Sequence, residues 1–304
     1  MKNIISHLKN NNILLLLLWH IYMFYRGKLD LKIKSDKTAI EKLYFNYSGK
    51  YLNLETPITF SEKIQWLKLN YHNPQLEIFA DKFFVRNFLI NKGYSEILSN
   101  VIGYYTTIDD IKIEDLPNRF VMKASHGSGW NLIVKDKEII NWNIWLLIFK
   151  YWLKDNIFWQ GREWCYKNMP QGIICEEYME DDKGELNDYK FFCFNGMVKF
   201  VQANKGRGTN IHAQNFYDLN WKLLPFGKDL TPLPDVIIDK PYCLKEMIDI
   251  SRDLSHKLPF VRVDLYEVKK KIIFGEMTFY PKSGLPDFIP NEYDEILGRM
   301  LELP

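Results

Sequence analysis

The residues best suited to chemistry lie late in the chain, in Val261-Arg262-Val263-Asp264-Leu265-Tyr266 and Ile273-Phe274-Gly275-Glu276-Met277-Thr278-Phe279. Both runs are rich in β-branched and aromatic residues. A lysine run, Lys269-Lys270-Lys271, separates them, so they read as a β-hairpin. Folding it at Lys270 sets Asp264 opposite Glu276 and Arg262 opposite Thr278. Side chains alternate along a strand. One face then carries Arg262, Asp264, Tyr266, Phe274, Glu276 and Thr278. The other carries Val261, Val263, Leu265, Ile273, Met277 and Phe279. Two carboxylates at ~5 Å and an effective dielectric of ~20 repel by about 3 kcal/mol, and like charges across a ladder are normally avoided. A hard divalent cation such as Mg²⁺ reverses that sign and keeps places open for phosphate oxygens. Arg262 beside the acids could hold a further anion. The plainer alternative is a solvated face on which Arg262 and Lys270 neutralise the acids.

A second candidate runs from Arg119 to Lys135. Arg119-Phe120-Val121-Met122-Lys123 is a strand, Ala124-Ser125-His126-Gly127-Ser128-Gly129-Trp130 a small flexible loop, and Asn131-Leu132-Ile133-Val134-Lys135 a returning strand. Glycines let backbone amides approach and point at phosphate oxygens. Lys123 ends the first strand where its ammonium could reach a phosphate under the loop. No GK[ST] ending follows, so this is not a P-loop. Further candidates are Lys82 and Arg86 on a helix over about 75–92, where four residues apart means one shared face. Lys190 lies on the first strand of an Asn195-Gly196 hairpin. The basic loop 204–210, with Lys205 and Arg207, suits an anionic substrate or is plain surface.

The elements that must position these groups read in order. Residues 37–55 carry a weak helical pattern, and Thr59 caps a helix that continues to Leu69 and ends at His72-Asn73-Pro74. Residues 139–168 are rich in tryptophan and helical. Gly172 to Met179 is a strand running into Glu176 and Glu177, followed by an acidic loop at 180–185 that forms no convincing metal-binding DxD. A proline-rich linker spans 225–241, a helix covers about 244–257, and Pro281-Lys282-Ser283-Gly284 turns the chain out of the opening hairpin.

With 304 residues the chain has room for one large or two medium domains. Its 40 basic and 38 acidic residues give a net charge of +2, which argues against a nucleic-acid binder. Cys165, Cys175, Cys193 and Cys243 form no CxxC pair, implying free thiols in a reducing compartment and no structural zinc. Residues 10–25 carry no formal charge and are strongly apolar, flanked by Lys2, Lys9, Arg26, Lys28, Lys32 and Lys34. This run is short for a spanning helix and ends in bulky aromatics, unlike a signal peptide. Two readings stay open: a helix docked on the body, or an interfacial helix making peripheral membrane contact.

Taken together, TFSEKIQWLK at 59–68, DKFFVR at 81–86, FVMKASHGSG at 120–129, ICEEYM at 174–179, DYKFFCFNG at 188–196, RVDLY at 262–266 and FGEMTFYPKSG at 274–284 resemble the ATP-grasp superfamily. The closer match is to its teichuronopeptide-biosynthesis, TupA-like branch, over residues 38–303. The resemblance implies an α+β ATP-grasp fold, two lobes with mixed or antiparallel sheets clasping ATP, here with a short apolar N-terminal helix. The implied organisation is a helix segment at 1–36, a helical region at 37–118 and the grasp lobes at 119–304. Of these lobes, 119–175 carries the flexible loop and 176–304 the metal-binding face.

By the same resemblance, ATP is bound through Lys82, Lys123 and the covering loop Ser125, Gly127, Ser128 and Gly129. Glu176, Glu177 and Tyr178 form the adenine hinge. Asp264 and Glu276 hold Mg²⁺, with Thr278 where many ATP-grasp enzymes have asparagine. Arg262 steadies the transferred phosphoryl with Lys190 beside it, and Arg86, Lys205, Arg207, Lys282 and Ser283 face the substrate. The implied reaction is ADP-forming carboxylate–amine ligation through an acyl phosphate, within cell-surface (capsule-type) polysaccharide biosynthesis. Its partners are a small-molecule or lipid-linked saccharide acceptor bearing a uronic-acid-type carboxylate, and an amine. The expected location is the cytoplasm, at the inner face of the membrane. The rivals are a glycosyltransferase using a nucleotide sugar and a non-catalytic assembly factor.

Overall fold

The structure is a computed structural model, and it describes residues 13–30, 35–181, 186–205, 213–228, 236 and 238–304. Arg207 and the acidic stretch 182–185 lie outside the described residues. In chain order the helices are α1 (Ile13–Asp30), α2 (Asp36–Ser48), α3 (Phe60–Asn70), α4 (Gln75–Ala80), α5 (Val85–Asn91), α6 (Trp142–Trp152), α7 (Phe158–Gly161), α8 (Leu244–Leu254) and α9 (Glu292–Gly298). The strands are β1 (Val101–Tyr105), β2 (Phe120–Ala124), β3 (Asn131–Val134), β4 (Ile173–Glu177), β5 (Asn187–Phe194), β6 (Met197–Lys205), β7 (Ala213–Tyr217), β8 (Gly227–Lys228), β9 (Phe260–Val268), β10 (Lys271–Thr278) and β11 (Phe288–Ile289).

The chain forms two compact units. The first joins residues 1–39 to 77–178 and holds an antiparallel sheet of order β1-β4-β2-β3. Its core gathers Leu16 and Leu17 of α1, the β2 residues Phe120 and Met122, and the α6 residues Trp145, Ile148, Phe149 and Trp152. α1 is therefore docked on the body, as one of the two sequence readings had it. Among the described residues, no helix is long and apolar enough to cross a membrane.

The second unit joins residues 40–76 to 179–304 and holds a five-stranded antiparallel sheet, β10-β9-β5-β6-β7, with a small β11-β8 ladder. Phenylalanines fill it: Phe192 stacks on Phe200 at 4.7 Å, Phe60 meets Phe260 at 4.9 Å, and Phe216 meets Phe226 at 4.7 Å. The β5–β6 turn places Asn195 at φ 49° and Gly196 at φ 77°, the conformation an Asn-Gly turn favours.

Two sequence expectations are corrected. The helix expected over 75–92 is broken, because Asp81 Oδ1 accepts from the backbone N–H of Phe83 at 2.7 Å and of Phe84 at 2.9 Å. That carboxylate holds residues 81–84 in a turn between α4 and α5, so Lys82 lies outside the helix that carries Arg86 and the two do not share one helical face. The β9–β10 hairpin pairs Glu276 with Asp264 and Thr278 with Arg262 as expected, but a bulge falls between Phe274 and Glu276. Phe274 therefore pairs with Leu265 and Ile273 with Tyr266. Phe274 and Ile272 turn inward, and Ile273 stands on the side assigned to Phe274. A bulge inserts one residue and flips everything on its far side.

Gly275 makes the bulge. A Cβ there would sit 2.9 Å from the Asp264 carbonyl oxygen and 2.9 Å from the Tyr266 ring. We predict that Gly275→Ala costs about 1–3 kcal/mol through overpacking, read as a lowered denaturation midpoint in urea.

Candidate active site

In the second unit, β9 and β5 are neighbours, and Lys190 stands directly across from Asp264. Asp264 is buried and held from two sides. Arg262 donates to it in bidentate fashion, Nε to Oδ1 at 2.6 Å and Nη2 to Oδ2 at 2.6 Å. Lys190 donates to Asp264 Oδ2 and, at 2.9 Å, to Asp188 Oδ1. Residues 188, 190, 262 and 264 are all buried. Two carboxylates are thus matched by two cations.

The same guanidinium reaches across the hairpin. Arg262 Nη2 lies 3.3 Å from Glu276 Oε1 and 3.1 Å from Thr278 Oγ1, and Thr278 Oγ1 donates to Glu276 Oε1 at 3.1 Å. Burial by itself would lower the Arg262 pKa, but Asp264, then Glu276 and Asp188, outweigh it and push it up. Arg262 therefore stays charged. The acid–acid repulsion expected from the sequence is relieved by Arg262 and Lys190, and not by Lys270 at the turn.

The donor set fits a magnesium ion in part. Two carboxylates from adjacent strands and a hydroxyl beside one of them are hard oxygen ligands. Among the described residues, no group of three or more His, Cys, Asp or Glu is arranged around a metal. Asp264 and Glu276 would hold the ion, with Thr278 beside them, and it would offset negative charge on phosphates bound there.

The turn after β10 belongs to the same unit. Lys282, Ser283 and Gly284 have φ of 52°, 58° and 63°. Two consecutive non-glycine residues in the left-handed region are costly and need outside support. α3 supplies it. Gln65 Nε2 donates to the carbonyls of Ser283 at 2.9 Å and Gly284 at 2.7 Å. Lys68 Nζ donates to the Ser283 carbonyl at 2.7 Å and its hydroxyl at 2.9 Å. Ser61 holds Asp294 Oδ1 through its N–H at 2.9 Å and its hydroxyl at 2.8 Å. Lys282 Nζ lies 3.1 Å from Asp287, which also pairs with buried Lys228. Lys205 closes β6 opposite Ala213, partly exposed.

The first unit carries the glycine loop. Lys82 Nζ donates to the Gly127 carbonyl at 2.6 Å, and its backbone N–H to the Ser125 carbonyl at 3.2 Å. His126, within the loop, is buried. Its Nδ1 accepts from the Gly172 N–H at 3.3 Å, so its Nε2 carries the proton and donates to the Trp152 carbonyl at 2.8 Å. Lys123 Nζ donates to Glu176 Oε2 at 2.7 Å. Glu176 also accepts from Ser99 and lies 3.7 Å from Arg86 Nη1, while Arg86 Nη2 donates to the Ser99 carbonyl at 2.5 Å. Burial would raise the Glu176 pKa, but Lys123, Ser99 and Arg86 together lower it. Lys123, Arg86 and Glu176 thus form one cluster. Glu177 next to it is exposed, and Tyr178 lies under the guanidinium of Arg119 at 4.3 Å.

Sequence reasoning passed over Gln65, Lys68, Ser61, Asp188, His126 and the Lys228–Asp287 pair. One signal was available for three of them. Ser61, Gln65 and Lys68 are spaced i, i+4, i+7, one polar stripe on a helix whose other apolar residues also point inward.

Two outcomes follow. Removing one partner of a buried charge pair leaves the other uncompensated, so Arg262→Met should cost about 3–5 kcal/mol in urea unfolding. Adding Asp264→Asn should recover part of that loss. Burial pushes the His126 pKa down from 6.5 to about 4, against the bonds from Trp152 and Gly172. Between those values the unfolded chain binds the extra proton and the folded chain does not. Stability from this group is therefore full above 6.5 and is lost as pH falls toward 4. The difference between wild type and His126→Gln, followed by thermal melts across that window, should carry this slope.

The TupA-like ATPgrasp family profile matches residues 62–302. No curated protein matches the sequence. Among solved structures, D-alanine–D-alanine ligase from Bacillus anthracis is 17% identical with a TM-score of 0.41, over 69% of this chain and 58% of that one. The ATP-grasp ligase PsnB complexed with minimal precursor, Mg and ADP is 10% identical with a TM-score of 0.40, over 72% and 57%. Phosphoribosylamine–glycine ligase from Thermotoga maritima is 12% identical with a TM-score of 0.37, over 75% and 52%. The chain thus spans somewhat over half the length of these three ligases. The family profile covers most of the sequence, including the Arg262–Asp264 strand and the Glu276 strand paired with it: the chain belongs to the TupA-like ATP-grasp family.

Proposed function

We propose that the protein is an ATP-dependent, ADP-forming carboxylate–amine ligase that joins an amine to a uronic-acid-type carboxylate in cell-surface polysaccharide biosynthesis. The observation that carries the reading is the Arg262–Asp264 pair, buried on one sheet face beside Glu276 and Thr278. A carboxylate oxygen of the acceptor attacks the γ-phosphorus of ATP, the bond to the β-phosphate oxygen breaks, and ADP leaves. The amine nitrogen then attacks the acyl carbon, the carbon–oxygen bond to phosphate breaks, and the amine proton passes to solvent or phosphate. Such transfers need chiefly positioning and neutralised charge.

Each unit has groups suited to a part of this. The first would offer Lys82, Lys123 and the loop Ser125, Gly127, Ser128 and Gly129 to the phosphates, and the backbone after Glu176 and Glu177, with Tyr178, to the adenine. Closing that loop would keep water from the acyl phosphate. The second would offer Asp264 and Glu276 to Mg²⁺, with Thr278 at hand. The ion would neutralise charge on the phosphates. Arg262, kept charged by Asp264, would steady the moving phosphoryl, and Lys190 would hold Asp264 in place. Arg86, Lys205, Arg207, Lys282 and Ser283 are the candidates for the anionic acceptor. An ATP-consuming step on a lipid-linked precursor belongs in the cytoplasm, at the inner face of the membrane.

Hydroxylamine should trap an acyl phosphate as hydroxamate when ATP, Mg²⁺ and the matching uronic acid are present. ATP hydrolysis indifferent to every acid tried would count against the substrate class, and UDP release from a sugar nucleotide would point to a glycosyltransferase. Asp264→Asn and Glu276→Gln should each lower acid-dependent ADP release about a hundredfold or more, since each removes charge stabilisation of the transfer.

A further inference from the structure

α1 has two unlike faces, and neither is polar. Leu16, Leu17, His20 and Met23 point into the first unit. Leu14, Leu18, Tyr22 and Tyr25 point outward, with 54%, 52%, 55% and 58% of their surface exposed. These four positions are spaced i, i+4, i+8 and i+11, which is one stripe along a helix. Packing on the body accounts for the inner face only. A contiguous outward row of large apolar side chains marks an interaction surface.

The charge around the stripe selects the partner. Residues 1–30 contain Lys2, Lys9, Arg26 and Lys28 against a single acid, Asp30, at the last position of α1. Arg26 is exposed directly after Tyr25. The adjoining helix α6 adds exposed Leu147 and Lys150, Lys154 follows it, and α6 itself carries no acid. An apolar stripe with tyrosines and a cationic rim is the pattern of a helix lying in a bilayer interface. A second copy of the same chain fits poorly, because an isologous contact would set like cations against one another.

We propose that the outward stripe of α1 seats the protein on an anionic bilayer surface, Leu18, Tyr22 and Tyr25 entering the interface and Arg26 and Lys150 lying at the headgroups. This deepens the reading above, and rests on it for the reason to be at a membrane. The binding itself does not depend on catalysis.

The test is co-sedimentation of the full chain with vesicles of phosphatidylglycerol or of phosphatidylcholine, at low and raised salt. Wild type should bind the phosphatidylglycerol vesicles, weakly or not at all the phosphatidylcholine ones, and less as salt rises. Leu18→Glu combined with Tyr22→Glu should lower the partition onto phosphatidylglycerol at least about tenfold with the thermal melt unchanged, as expected for losing two apolar anchors and adding like charge. Should the glutamate pair fail to fold, Leu18→Ser with Tyr22→Ser gives the same comparison without added charge. Wild type that ignores phosphatidylglycerol, or variants that bind as well as wild type, would overturn the proposal. So would a dimer seen by sedimentation that the substitutions dissolve while vesicles stay unbound. Acid-dependent ADP release in solution reports on the ligase reading alone, so the two can fail separately.

Discussion

The second unit is organised around a carboxylate that cannot stand alone. Asp264 is buried, and an isolated carboxylate in such a place would protonate or tear its surroundings open. Arg262 two residues along the same strand and Lys190 on the neighbouring strand both donate to it. Each bond constrains backbone as well as side chain. The first ties two neighbouring side chains on one face of β9, and the second ties β5 to β9 in the register observed. Because side chains alternate, a slip of one residue in either strand would bury the acid against phenylalanine instead of ammonium. Electrostatics therefore sets the sheet's register, and the phenylalanine core fills in behind it.

The same logic explains why the bulge lies at Gly275. Between the turn and the bulge the hairpin serves the core, with Ile272 and Phe274 inward. Beyond it, Glu276 and Thr278 must come level with Asp264 and Arg262 on the charged face. One inserted residue reconciles a two-residue turn at Lys269-Lys270, both at positive φ, with that pairing. A glycine is needed because the Asp264 carbonyl sits where a Cβ would go. The strained Lys282-Ser283 turn that follows is an analogous compromise, its cost offset by Gln65 and Lys68.

Much of this could be read from the sequence, and most of the parts that could not share a cause. The cross-strand pairs Asp264–Glu276 and Arg262–Thr278, the Asn195-Gly196 turn and the Thr59 cap are local: each follows from alternation or capping within a few residues. The break at Asp81 is local as well, yet it was missed, since an aspartate inside an apolar helical pattern reads as surface until its carboxylate is seen on the Phe83 and Phe84 amides. The rest is long-range. Nothing near Lys68 announces Ser283, and nothing near Lys190 announces Asp264, because each pair is brought together by the fold and not by spacing. Polar residues on an inward helix face, such as Ser61, Gln65 and Lys68, signal that a distant partner exists without naming it.

The first unit gives the glycine-bearing loop a fixed root. The loop's base is clamped by Lys82 on the Gly127 carbonyl and by neutral His126 between Gly172 and Trp152. Trp152 is the junction: its carbonyl accepts a hydrogen bond from His126 and its indole N–H lies 3.4 Å from His20 Nε2 on α1. Trp130, directly after the loop, stacks parallel to Trp152 at 6.2 Å. The inner face of α1 is therefore part of the wall on which the glycine loop is mounted. Removing α1 would expose Trp152 and Trp130 and take away the His20 contact of Trp152, whose carbonyl accepts from His126, and so loosen the base of the loop.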